Sequence, residues 1–252
     1  MRRWHHEVSA EWLEHRQQVL TATDVVNLLP EYKRYVKAGE PEDKLFPGFA
    51  ALWCSKHSKG YLDTESQAAA ARGHVMEPYA VTAWNKQAKP EFHHWDDCII
   101  TKGLCGFSPD ATTVSQPVGV VHMSHFFLPD LDEIMEIKSY LPDHHMKCFI
   151  EDRMEHREIM QVAMAFKILD QLVTAHIVWY CPGAPVPMFE ERYARDELAD
   201  EIALVDKVVG VYERQAKLCE AKVKGANVLD AVYTEDEIWQ DHMAEWSDSL
   251  LS

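Results

Sequence analysis

Four residues in the middle of the chain are of types and at spacings that can do chemistry: Ser108 and Asp110 in Gly106-Phe107-Ser108-Pro109-Asp110, and Glu136 and Lys138 in Glu136-Ile137-Lys138. On a β-strand alternate side chains share a face, so Glu136 and Lys138 stand together while Met135 and Ile137 point the other way. If the segment carrying Ser108 and Asp110 pairs with that strand, Asp110 meets Glu136 across the ladder. Two facing carboxylates repel, and an arrangement that holds them together suits a divalent cation with hard oxygen ligands, magnesium or manganese. A lysine beside such ions can orient water for attack on phosphorus. Taken alone, a Glu-x-Lys triplet is more often a solvated strand edge. The setting argues otherwise, because Leu104 and Phe107 on one side and Ile134, Met135 and Ile137 on the other read as buried strand, and polar groups interrupting a core need a reason.

The elements that must position these residues follow from the rest of the sequence. Ser9 is placed to cap a short helix carrying Trp12 and Arg16 on one face. Thr21-Ala22-Thr23-Asp24 is a capping-box pattern, predicting a helix through Val25, Val26, Leu28 and Leu29 that stops at Pro30. Residues 38–48, rich in Gly, Pro and acid, read as a surface loop ending in Leu45-Phe46-Pro47. Residues 64–86 read as a long helix with Met76, Ala80, Ala83 and Trp84 as its apolar stripe, Glu77 beside it, and a kink or restart at Pro78. Short strands are expected over 98–101 and 104–110, joined by a turn at Lys102-Gly103. Between Asp110 and Glu136 the spacing suggests an extra strand over 118–122 and an exposed apolar loop over 124–131 containing Phe126 and Phe127. Helices over 142–149 and 151–169 place Arg157 and Gln161 on one face. A strand over 175–181 and another near 186–190 follow. Residues 195–224 and 235–250 read as amphipathic helices, the first packing on the sheet and the second carrying a stripe of Trp239, Met243 and Trp246 suited to a neighbouring subunit or partner.

Composition bounds the answer. The 252 residues, 47% of them hydrophobic, suffice for one sizeable core, and the chain is expected to form a single domain over 1–252, with a catalytic core at about 10–190 and a C-terminal helical extension at about 194–250. Six cysteines without a C-x-x-C pair exclude a zinc ribbon or iron–sulfur site and suit a reducing compartment. The basic N-terminus lacks an apolar stretch to follow it, and no apolar run reaches membrane-spanning length, so a soluble, cytoplasmic protein without membrane partners is expected. The net charge of −16 runs against a nucleic-acid ligand, which calls for a basic footprint. The conflict eases if the cations gather in one groove, because the local field guides a ligand.

These residues resemble the PD-(D/E)xK nuclease superfamily and, within it, the lambda exonuclease and YqaJ-like recombinase family. The family's early W-x-x-x-R is matched by Trp12 and Arg16, its T-A-S/T by Thr21-Ala22-Thr23, and its G-x-x-x-E by Gly73 and Glu77. Ser108-Pro109-Asp110, Glu136-Ile137-Lys138 and a helical Gln161 follow in family order. The chain departs from the pattern in Ala111, where the family has glycine, and in the length of the interval from Asp110 to Glu136. The resemblance implies an α/β fold with a mixed sheet flanked by helices. It also implies a metal-dependent exodeoxyribonuclease that digests one strand of linear duplex DNA from a 5′-phosphorylated end, leaving 3′ single strands for phage-type annealing recombination. Asp110, Glu136, Glu77 and the carbonyl of Ile137 would hold Mg²⁺ or Mn²⁺, two ions per site. Lys138 would hold the attacking water, and Arg16, Thr23, Ser108 and Gln161 the 5′-phosphate. Leu45 or Phe46 would wedge the duplex open. Relatives form trimeric rings and work with single-strand-annealing proteins. An endonuclease, a single-strand-preferring nuclease and a catalytically silent DNA-end-binding protein are the alternatives.

Overall fold

A computed structural model describes residues 9–57, 67–87, 90–128, 130–151 and 156–226, with the side chains of 67–71 left aside. The predicted helix over 235–250, with Trp239, Met243 and Trp246, lies outside the described residues. Seven helices and eight strands are seen among the described residues. The helices are α1 (Ala10–Gln17), α2 (Ala22–Lys37), α3 (Pro47–His57), α4 (Gln67–Asn85), α5 (Pro142–Glu151), α6 (His156–Ile168) and α7 (Ala199–Lys224). The strands are β1 (His93–His94), β2 (Ile99–Lys102), β3 (Cys105–Phe107), β4 (Ala111–Thr112), β5 (His122–Ser124), β6 (Glu133–Lys138), β7 (Thr174–Tyr180) and β8 (Met188–Ala194). No helix among the described residues is long and apolar enough to cross a membrane.

A mixed five-stranded sheet in the order β1-β4-β6-β7-β8 forms the frame, and a smaller sheet in the order β3-β2-β5 stands beside it. Strands β6 and β7 run parallel, as a crossover through α5 and α6 requires, while β8 returns antiparallel across a short turn. Both faces of the larger sheet are covered. Ala80, Val81 and Trp84 of α4 pack on Met135, Ile137 and Val178 on one side, and on the other α6 is buried along most of its surface, as a helix that is apolar all round must be. Helices α2 and α7 close over α6.

The caps read from sequence are present. Ser9 accepts from the Trp12 amide, and Thr21 and Asp24 form a reciprocal capping box. Other expectations are corrected. Helix α2 does not stop at Pro30 but continues to Lys37, because Leu28, Glu31 and Tyr35 bury a face whose packing outweighs the proline's missing donor. Helix α4 likewise does not restart at Pro78 but runs through it as one element. The strand expected over 104–110 ends at Phe107, and Leu104 is exposed at its turn. The extra strand is His122–Ser124, pairing in parallel with β2, whereas Val118 is fully exposed. Phe126 and Phe127 are exposed on a single 3-10 turn, as read. Helix α7 packs chiefly on α6, α3 and α2 rather than on the sheet, because those helices already occupy that layer.

Candidate active site

Strand β4 is only two residues long, yet it fixes the register that matters. Ala111 pairs with Met135 and Thr112 with Ile134, so the residue preceding β4, Asp110, comes opposite Glu136. Ser108 and Asp110 therefore sit in the irregular crossing from the small sheet to the large one, and not within one strand as the spacing suggested. An Asp110 carboxylate oxygen accepts from the Ile137 backbone N–H at 2.6 Å, and the Asp110 carbonyl accepts from the Trp95 amide at 3.0 Å. Those two bonds leave the acid little freedom to turn away.

Lys138 donates to Glu136 Oε1 and to Gln161 Oε1, both at 2.6 Å, with the ammonium and the carboxylate each almost wholly enclosed. Since Gln161 uses its carbonyl oxygen on Lys138, its NH₂ is turned outward as a donor. Burial alone would discharge Lys138, but Glu136 and Asp110, with the Glu136 hydrogen bond and Glu158 behind them, hold its pKa above the ordinary lysine value. Lys138 is thus an ammonium, a donor and orienter rather than a base. Asp110 shows the converse. Burial, followed by the repulsion of Glu136 and Glu77, pushes its carboxyl well above the usual range despite Lys138 and the Ile137 amide.

Glu77 on α4 is 8% exposed and lies beside His74 Nδ1 at 3.4 Å and His94 Nε2 at 3.5 Å. Burial works to raise its pKa, but the hydrogen bonds and charge of the two histidines outweigh it and bring the carboxyl down to about 2. Neither histidine was singled out from sequence. His74 stands one turn before Glu77, a spacing that could have signalled it; His94 arrives from a remote strand and carried no local signal.

The anion side of the site is assembled by an unusual close approach. Leu20, in the link between α1 and α2, bridges to Cys105: its N–H donates to the Leu104 carbonyl at 2.7 Å and its carbonyl accepts from Gly106 at 2.9 Å. A β-carbon at Gly106 would overlap Val19, so only glycine lets the link lie this close. Trp12 Nε1 then donates to Ser108 Oγ at 3.2 Å, and the Arg16 guanidinium lies over the Trp12 ring at 4.9 Å. Lys56 of α3 ties the arrangement down from behind, bonding Asp24 at 2.8 Å and the Arg16 carbonyl at 3.3 Å. Its position on another helix gave the sequence no means of showing this. Arg16 has its pKa lowered by burial and, to a lesser degree, by Arg157, against the opposing pull of Asp24 and Glu136.

Arg16, Thr21, Thr23, Ser108, Glu136 and Gln161 line a cavity of about 60 Å³. It is a small polar cleft on the scale of one tetrahedral anion. Asp110, Glu136, Lys138, Glu77, Gln161, Arg16, Thr23 and Ser108 are thus gathered into one region, with Ile137 contributing its N–H to Asp110. Leu45 and Phe46 are not. Phe46 is 6% exposed, packed edge-on to Tyr35, and its N–H donates to the buried Gln215; Leu45 beside it is half-buried. A wedge must be free to enter a duplex, and Phe46 would have to leave the core to do so.

Among the described residues no three His, Cys, Asp or Glu side chains form a ready-made metal centre. The donor chemistry nonetheless suits a hard cation: burial, and after it the charges of Glu136 and Glu77, push the Asp110 carboxyl up, and a divalent ion held by these oxygens would relieve both.

No family model and no curated protein matches the sequence. Among solved structures, the alkaline exonuclease LHK-Exo from Laribacter hongkongensis superposes with a TM-score of 0.58 at 19% identity, over 86% of this chain and 99% of that one. LHK-Exo in complex with dAMP gives 0.59 at 18% identity over the same shares. The chain has the fold of an alkaline exonuclease. At this low identity the likeness speaks for the backbone: the alkaline-exonuclease fold accounts for the mixed sheet, its flanking helices and nearly the whole of the relative's length. The fold implied by the sequence motifs is the fold seen.

Proposed function

We propose that this chain is a metal-dependent exodeoxyribonuclease acting 5′ to 3′ on one strand of linear duplex DNA with a 5′-phosphorylated end. The observation that carries this reading is the adjacency of two differently charged compartments. Asp110, Glu136 and Lys138 form one, and the anion-sized cavity of Arg16, Thr23, Ser108 and Gln161 shares Glu136 and the Lys138–Gln161 bond with it. The exonuclease fold supports the same conclusion.

In this reading the terminal phosphate enters the small cavity, where Arg16 supplies charge, Thr23 and Ser108 hydroxyls and the outward Gln161 NH₂ supply donors, and Lys56 holds the Arg16 backbone in place. With the phosphate seated there, the adjoining phosphodiester falls beside Asp110 and Glu136, and polarity follows from the seating of the end. Asp110, Glu136, Glu77 and the Ile137 carbonyl would hold divalent ions, magnesium or manganese, which supply Lewis acidity and charge neutralisation at the attacking and leaving oxygens. Lys138, an ammonium fixed by Glu136 and Gln161, directs an N–H donor at the attacking water. A ring-shaped homotrimer and a single-strand-annealing partner in recombination complete the proposal.

End-labelled linear duplex and a covalently closed circle, each incubated with magnesium, test it. Loss of the 5′ label from the linear substrate with the circle intact is expected. Nicking of the circle at a comparable rate would replace this reading with an endonuclease, and absence of magnesium-dependent hydrolysis on either DNA would remove it.

A further inference from the structure

The Lys138–Gln161 bond joins β6 to α6, and a second bond joins the same two elements just outside the site. Two residues beyond Lys138, where the chain leaves β6, the Tyr140 hydroxyl donates to Glu158 Oε1. Glu158 lies three residues before Gln161 on α6, one turn away along the same helix. The two bonds therefore run side by side, Lys138 to Gln161 within the site and Tyr140 to Glu158 behind it. Glu158 is 1% exposed, although glutamate is seldom buried unless it is engaged, and beyond its weak electrostatic pull on Lys138 it touches none of the site groups described above.

We propose that Tyr140 and Glu158 are positioning residues, a buried second tie between the exit of β6 and α6 that sets where the helix holds Gln161 against Lys138. A single side-chain bond lets a helix rotate about it or slide along its axis. Two bonds one turn apart restrain both motions, so the Gln161 carbonyl stays on Lys138 and its NH₂ stays turned to the anion cavity. Around the tie, Tyr140 packs edge-on to His144 at 4.3 Å, which holds the phenol in its plane. The tie itself requires an acceptor at position 158 and a hydroxyl at 140.

The inference rests on the nuclease reading for its kinetic test and not for its structural one. Tyr140→Phe removes a single oxygen and should lower kcat about tenfold, the worth of one hydrogen bond in the transition state, while KM for DNA ends is unchanged. Glu158→Gln keeps an acceptor and should retain most activity. Glu158→Ala should match Tyr140→Phe, and the double variant Tyr140→Phe with Glu158→Ala should lose no more than either alone. The independent readout is the Gln161 side-chain amide resonance in ¹⁵N spectra, assigned through Gln161→Glu, which should move in Tyr140→Phe and stay put in Glu158→Gln. A Tyr140→Phe protein with wild-type kcat and an unmoved Gln161 resonance overturns the proposal. So does a kcat loss that disappears on cooling in step with a lowered Tm, which marks a merely structural bond. If wild-type protein hydrolyses no DNA while the resonance shifts as expected, the nuclease reading fails and the tie stands.

Discussion

Strand β6 carries buried charge on both of its faces, and the two clusters differ in how they are finished. On one face stand Glu136 and Lys138. On the other, Glu133 lies beside His176 Nε2 at 2.7 Å, while His176 Nδ1 lies 2.9 Å from Glu190, itself paired with Arg192. The imidazole is enclosed by Trp84 and Phe92, each meeting it edge-on. Both nitrogens of the His176 ring have a carboxylate partner, and Glu190 is also paired with Arg192. On the Glu136–Lys138 face, burial and then the charges of Glu136 and Glu77 push the Asp110 carboxyl well above the usual range despite Lys138, and an anion-sized space lies alongside. Buried charge by itself therefore does not mark a site. An unbalanced cluster opening on a cavity does, because its imbalance is energy that a ligand can relieve.

That contrast can be broken most directly at Asp110. Asp110→Ala should reduce magnesium-dependent hydrolysis on the order of a thousandfold, the scale of losing one preorganised charged group, while binding of duplex ends persists; undiminished cleavage would show that the open cluster is not where the chemistry occurs. His176→Ala should do the opposite. Removing it leaves two carboxylates facing an emptied space, so unfolding free energy should fall by about 3 kcal/mol in denaturant titrations while the folded fraction keeps its kcat. A catalytic loss there with stability intact would erase the distinction between the two faces.

Dephosphorylating the 5′ ends should slow initiation roughly tenfold to a hundredfold, the worth of charge-assisted bonds to one phosphate, and Arg16→Ala should remove most of that difference. Indifference to the phosphate would leave the small cavity without its assigned role. The smallest effect concerns pH. Glu77 titrates near 2 in the fold against an ordinary 4.5, so its contribution to stability is full above about 4.5 and is lost as the pH falls toward 2. In metal-free buffer, Glu77→Gln should accordingly show a flatter dependence of Tm on pH across that window than the wild-type chain; parallel curves would mean that His74 and His94 do not hold the carboxylate as the geometry indicates.

Much of this was legible in the residues, and the exceptions have common causes. Caps were read correctly because a capping box is a local hydrogen-bond pattern closed within four residues. Pro30 was misread because its penalty is local while the compensation is not: Tyr35 is buried and meets Phe46 and, from α7, Arg214. Phe46 looked like a loop-tip apolar residue until α7 supplied Gln215 to receive its backbone. The segment at 118–124 was placed four residues early because its partner, β2, sets the strand and the intrinsic pattern did not.

The sequence by itself determined the types and order of Arg16, Thr23, Glu77, Ser108, Asp110, Glu136, Lys138 and Gln161, chemical facts that no folding step can alter. Only the tertiary structure decided which of the many acids lack a balancing partner. The β4–β6 register, the glycine-permitted contact of Val19 with Gly106 and the arrival of Lys56, His74 and His94 all join residues distant in the chain. Electrostatic imbalance is a property of distances in space, which spacing along a chain does not contain.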